Sequence, residues 1–195
     1  MKIDHVLLAS SNAGKLREYL RLAPATAIRF ELMAGFGELS LFDENAPTFA
    51  ENAAGKALHY SSFVDGVVLA EDSGLVVPAL NGAPGVKSAR YAGENATDAD
   101  RVQKLLCEMR QLTGSTRAAK FVCVTALAQR GRAIAVVSDD VHGMIASESH
   151  GASGFGYDPI FFSPEIGKTF AEASAEEKDR LSHRGKAFRK LLAFL

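Results

Sequence analysis

The run Val67-Val68-Leu69, followed at once by Ala70-Glu71-Asp72-Ser73-Gly74, restricts this chain more than any other stretch. Its apolar, β-branched character predicts a buried strand, and Gly74 permits a turn at the end. Two adjacent carboxylates at a strand end lie where open α/β sheets bind their ligands. Acids there need a positive partner, and polyphosphate chemistry with a divalent metal supplies one.

The rest of the chain alternates strands and helices. His5–Ser10 reads as a first strand, and Leu16, Leu20 and Ala23 recur at helical spacing before Pro24. A second strand is expected over Ile28–Met33 and a loop over 34–47. Thr48-Phe49-Ala50-Glu51 has capping-box form and opens a helix to Phe63. Val67–Glu71 is the third strand, and residues 74–95 look irregular. Thr97–Gln111 is a helix with Val102, Leu105, Leu106 and Met109 on one face. Ala119–Gln129 and Ala133–Val141, linked by Arg130-Gly131-Arg132, predict an antiparallel hairpin. A glycine-rich loop spans 147–159. Ser174–Leu195 is helical, with a break expected near Ser182. The pattern is that of an α/β protein, an elongated mixed sheet with flanking helices, in one domain over residues 1–195.

Composition removes several classes of function. With 195 residues, 47% hydrophobic and 23% charged, the chain suits a globular core. A net charge of −1 gives no global field toward nucleic acid or an acidic membrane, so phosphates need a local cluster. Cys107 and Cys123 form no disulfide framework or zinc spacing. Met1-Lys2-Ile3-Asp4-His5 is wrong for a signal peptide, and no apolar run is long enough to span a membrane. A cytoplasmic protein with reduced thiols is expected.

Ser10-Ser11-Asn12-Ala13-Gly14-Lys15 follows the first strand and opens the first helix. Backbone N–H groups there form an anion site, and Lys15 adds a full charge. The segment lacks the first glycine of a Walker A loop and the hydroxyl after its lysine, so a plain helix cap remains the equal alternative. Asp43-Glu44 and Glu71-Asp72 are acid pairs that a divalent cation makes sensible together. Taken alone, Asp43-Glu44 reads as a solvated loop. Lys56 either points at a phosphate or is a surface lysine beside Asn52. Phe155 and Tyr157, in Gly151-Ala152-Ser153-Gly154-Phe155-Gly156-Tyr157-Asp158-Pro159, either stack on a purine or pack on the core. Lys178, His183 and Arg184 are further donors, or surface charge. No Gly-x-Ser-x-Gly elbow supports a serine triad.

In order along nearly the whole chain, these segments resemble the inosine/xanthosine triphosphate pyrophosphatase family. The resemblance rests on Ser11–Lys15, Thr48–Ala53, Glu71–Gly74, Gly82–Tyr91, Gly154–Pro159 and Ser182–Gly185. It implies two lobes around a central active-site cleft, Mg²⁺ dependence and a homodimer. The implied substrate is a noncanonical purine nucleoside triphosphate (ITP, dITP or XTP), cut to the monophosphate and pyrophosphate. By the same resemblance Ser10, Ser11, Asn12, Ala13, Gly14 and Lys15 bind the triphosphate, and Asp72 is the general base and a metal ligand. Asp43 or Glu44 is the second metal acid, and Ser73 contacts substrate. Phe155, Gly156, Tyr157 and Asp158 line the base pocket, while Lys178, His183 and Arg184 complete the nucleotide site. Glu71 departs from the family's usual aspartate, and Asn45-Ala46 from its threonine and glycine. Lys15, Lys56 and Lys178 are expected to offset charge on the leaving pyrophosphate. A donor such as His183 or Arg184 facing position 6 would accept an oxo group and reject adenosine's amino group.

Overall fold

The computed structural model describes residues 3–25 and 27–195. Met1 and Lys2, part of the N-terminal reading above, lie outside the described residues. The strands are β1 (His5–Leu8), β2 (Arg29–Leu32), β3 (Val67–Val76), β4 (Ala118–Gln129), β5 (Arg132–Ile145), β6 (Phe161–Ser163) and β7 (Lys168–Thr169). They form one mixed seven-stranded sheet in the order β2-β1-β3-β4-β5-β6-β7. β1 is parallel to both β2 and β3, whereas β5, β6 and β7 run antiparallel in turn. The helices are α1 (Ala13–Leu22), α2 (Phe49–Ser61), α3 (Asp98–Glu108), α4 (Ala175–Leu181) and α5 (His183–Leu191).

The chain divides into two compact units. The first comprises Met1–Asp72, Cys123–Asp139 and His183–Leu195. Val6, Leu8, Val67, Leu69 and Leu127 meet Tyr19 of α1 and Phe188 and Leu191 of α5 in its core. The Phe188 ring lies 5.9 Å from that of Tyr19 and 5.3 Å from that of Phe30. The second unit comprises Ser73–Val122 and Asp140–Ser182. Its core gathers Val102 and Leu105 of α3 and Met109 at its C-cap with Phe121, Phe161 and Phe170, while Leu106 of the predicted face is only partly buried. Leu105 and Met109 are fully buried; burial of such side chains contributes about 1.5–3 kcal/mol each.

Three expectations need correction. β3 does not stop at Glu71: it runs through Asp72, Ser73 and Gly74 to Val76. Leu75-Val76-Val77 renews the apolar run, and the Leu75 N–H donates to Ser88 Oγ at 2.9 Å, so Gly74 makes no turn. The acids nevertheless follow the carboxyl edge of β1, whose pairing with β3 is Val6–Leu8 to Val67–Leu69. The hairpin strands are longer than expected, and Arg130 and Gly131 both have positive φ, which a tight two-residue link requires. β6 and β7 were not anticipated; strands of three and two residues leave no period to read. The break near Ser182 is present: Ser182 is extended between α4 and α5.

Candidate active site

In the first unit, α1 begins directly after β1. Asn12 caps it, its Oδ1 accepting the Lys15 N–H at 3.0 Å, and Ser10 Oγ accepts the Asn12 N–H at 3.2 Å. Ser11, Asn12 and Ala13 are exposed and Gly14 is buried. Lys15 is mostly buried, and its Nζ lies 3.3 Å from Glu71 Oε1. A capped helix start with a lysine in its first turn brings N–H groups and a positive charge together, which is what an anion needs.

Glu71 is fully engaged by cations and a hydroxyl. Arg184 grips it with two parallel bonds, Nε to Oε2 at 2.8 Å and Nη2 to Oε1 at 2.7 Å. Tyr19 Oη donates to Oε2 at 2.7 Å, and Arg184 Nη1 donates to buried Glu18. Burial pulls the Arg184 guanidinium down, but Glu71 and Glu18 more than reverse this and hold it above its ordinary value. Burial beside Glu71 pushes the Tyr19 hydroxyl and the Cys123 thiol well up. The network ties α1, β3 and α5 together, so Glu71 is a buttress. Arg184 is 2% exposed, with every guanidinium nitrogen on a carboxylate.

Asp72 has a different environment. It is 6% exposed, and its Oδ2 accepts from Asn52 Nδ2 at 3.0 Å. Burial raises the Asp72 carboxyl above the usual range; Lys15, the Asn52 bond and Lys56 oppose this, and Glu44 adds to it. Lys56 is buried on α2, with Nζ 2.5 Å from Glu44 Oε1 and donating to the Glu71 carbonyl at 3.2 Å. The surface alternative for Lys56 therefore does not hold.

The loop before α2 lies along that helix and faces it with every second residue. The Ser40 carbonyl is 2.7 Å from His59 Nε2, and the Phe42 N–H donates to Tyr60 Oη at 3.3 Å. The Phe42 ring fills the space above Gly55, where a Cβ would sit 2.5 Å from it. Glu44 meets Lys56, and Ala46 meets Asn52. Residues 42, 44 and 46 are half-buried, while 43 and 45 are exposed. Of the two acids left open by the sequence, Glu44 therefore faces the site and Asp43 faces water. Among the described residues no group of three or more His, Cys, Asp or Glu side chains is placed to hold a metal. Two carboxylates nonetheless suit a hard cation that keeps waters and takes the rest of its ligands from phosphate oxygens.

In the second unit the glycine-rich loop is organised by Asp158. Its Oδ2 accepts the Phe155 N–H at 2.8 Å and lies 2.5 Å from Lys178 Nζ. Gly154 has φ +80°, and a Cβ there would lie 2.1 Å from that carboxylate oxygen. Lys178 Nζ stands 5.0 Å from the centroid of the half-buried Phe155 ring. The Gly156 N–H donates to Asp98 Oδ2 at 2.7 Å. Tyr157 is a core residue with its hydroxyl on the Ser88 carbonyl at 3.0 Å. Ser73 is half-buried and His183 is buried at the start of α5.

Glu18, Tyr19 and Asn52 were missed as site residues. Glu18 falls one turn after Gly14, and Asn52 one turn before Lys56, so helical spacing alone placed both on inward faces.

A model of the Ham1 family matches residues 6–194. A dITP/XTP pyrophosphatase of Geobacillus kaustophilus is 46% identical over 97% of this chain and 93% of its own length. One of Legionella pneumophila is 43% identical over 99% of both chains. The solved structure of a HAM1 protein from Coxiella burnetii has a TM-score of 0.86 at 41% identity, covering 97% of this chain and 96% of that one.

Proposed function

This chain belongs to the Ham1 family, and from that membership and the geometry above we propose how it acts. It is a nucleoside triphosphate pyrophosphohydrolase that hydrolyses noncanonical purine nucleoside triphosphates of the ITP, dITP and XTP kind to the monophosphate and pyrophosphate. In our reading the N–H groups of the Ser10–Lys15 turn and the Lys15 ammonium take the triphosphate. Asp72 orients and deprotonates a water aimed at the α-phosphorus, and burial brings its basicity nearer the working range. Lys15 and Lys56 offset the charge of the leaving pyrophosphate. Ser73 contacts the substrate.

Glu44 and Asp72 are the residues that would hold Mg²⁺. When bound, Mg²⁺ neutralises phosphate charge as a Lewis acid. Burial of Asp72, to which the Glu44 charge adds, disfavours its ionised form without a cation and supports this reading. With Arg184 committed to Glu71 and Glu18, the donor for a 6-oxo group is assigned to His183. The base is assigned to Phe155, with Gly156, Asp158 and Lys178 shaping its loop. A homodimer in the cytoplasm completes the proposal, on the strength of the family resemblance; both cysteines are free thiols, at home in a reducing compartment.

The observation that carries the mechanism is one desolvated carboxylate, Asp72, beside two lysines. The test is pyrophosphate release from ITP, XTP, GTP and ATP with Mg²⁺, using wild type and Asp72→Asn. Release from ITP and XTP that the substitution abolishes supports it. Orthophosphate as the product, or equal turnover of ATP, would refute the substrate class.

A further inference from the structure

Both proposed metal acids depend on one fully buried amide. Asn52 is 0% exposed and uses its side chain on two segments at once. Oδ1 accepts the Ala46 N–H at 3.0 Å, and Nδ2 donates to the Ala46 carbonyl at 3.2 Å, a reciprocal pair that fixes the loop two residues after Glu44. The same Nδ2 donates to Asp72 Oδ2 at 3.0 Å. An amide supplies one acceptor and two donors from a rigid plane, and here all three are directed at these segments. Four residues on, Lys56 bonds Glu44 and the Glu71 carbonyl, so one face of α2 joins the loop to β3 twice.

We propose that Asn52 is a positioning residue that sets the separation of Glu44 and Asp72, and so the affinity and placement of the divalent cation. This rests on the metal reading above. Its action runs through other residues: it aims one Asp72 oxygen and leaves the second for water or metal, while tethering the loop that brings Glu44. Loss of such supporting partners lowers metal affinity or activity by about 10–100-fold.

The test measures Mn²⁺ affinity of the full chain by electron paramagnetic resonance, with a non-hydrolysable ITP analogue present, beside kcat and KM for ITP. Asn52→Ala is expected to weaken Mn²⁺ binding about 10–100-fold and to lower kcat more than it raises KM. In a Glu44→Gln background the same substitution is expected to cost less than in wild type, because one of the two acids it positions is gone while its bond to Asp72 remains at stake. A cooperative thermal transition near that of wild type certifies the fold; if Asn52→Ala lacks one, Asn52→Ser is read in its place. Unchanged Mn²⁺ affinity, or an equal loss with and without Glu44, overturns the role of Asn52 and leaves the metal reading intact. Failure of wild type to bind Mn²⁺ overturns both.

Discussion

Asp158 and Asp72 are both buried carboxylates with lysines at hand, one in each compact unit, and they are treated in opposite ways. Asp158 takes the Phe155 N–H and the Lys178 ammonium on one oxygen, and the whole loop is folded around it. The Asp72 carboxylate has one hydrogen bond among the described residues, from Asn52, while the lysines that could neutralise it are placed against Glu71 and Glu44. Glu71, next in sequence, resembles Asp158: it is gripped by Arg184, Lys15 and Tyr19. A buried acid with its charge answered shapes its surroundings. One left partly unanswered retains free energy that a proton, a metal or a water can release.

This contrast can be broken by substitution. Asp72→Asn is expected to lower kcat for ITP by about 10²–10⁴-fold. Yet in EDTA at pH 7 it should unfold at a temperature no lower than wild type. The sign follows from the raised carboxyl of the folded state: ionised Asp72 costs stability above its folded pKa, and that cost disappears as pH falls through that value toward the ordinary carboxylate range. The gap between variant and wild type should therefore close on acidification, which melts at several pH values would show. A loss of stability at pH 7 would place Asp72 with the answered acids.

Lys178→Met should do the reverse, leaving Asp158 charged and buried at a cost of about 3–5 kcal/mol in urea unfolding. Gly154→Ala is milder. Its left-handed backbone costs about 1–2 kcal/mol, and the new methyl displaces the Asp158 carboxylate, so KM for ITP should rise more than kcat falls. Asp43→Asn should change stability by less than about 0.5 kcal/mol and leave the Mg²⁺ dependence of turnover intact, since that side chain faces water. A clear loss from Asp43→Asn would reassign the second acid.

Much of the fold was legible because its signals are local. The capping Thr48, the apolar stripe of α3 and the glycine-bearing link around Arg130-Gly131-Arg132 each appear within a few residues. The site was legible in its residue types and not in their roles. Arg184 lies 113 positions from Glu71, and no window of sequence shows that the two share a grip. Tyr157 reads the same whether it stacks on a ligand or fills a core; the distant Ser88 carbonyl decides. The end of β3 was misplaced because acids beside a glycine look like a turn until the cations that stabilise them inside a sheet are known.

The alternation of residues 40 to 46 against α2 has a consequence for how this protein can vary. Inward and outward positions are assigned by counting, much as a reading frame assigns codons. Substitution at 41, 43 or 45 alters only the wet side. Deletion of a single residue between Phe42 and Ala46 shifts the count by one, so that neighbours exchange sides and whatever flanks Glu44 is delivered to Lys56 instead. Removal of two restores the alternation with a shorter reach. The loop looks like the most expendable connection in the first unit, yet its length is under tighter constraint than its composition.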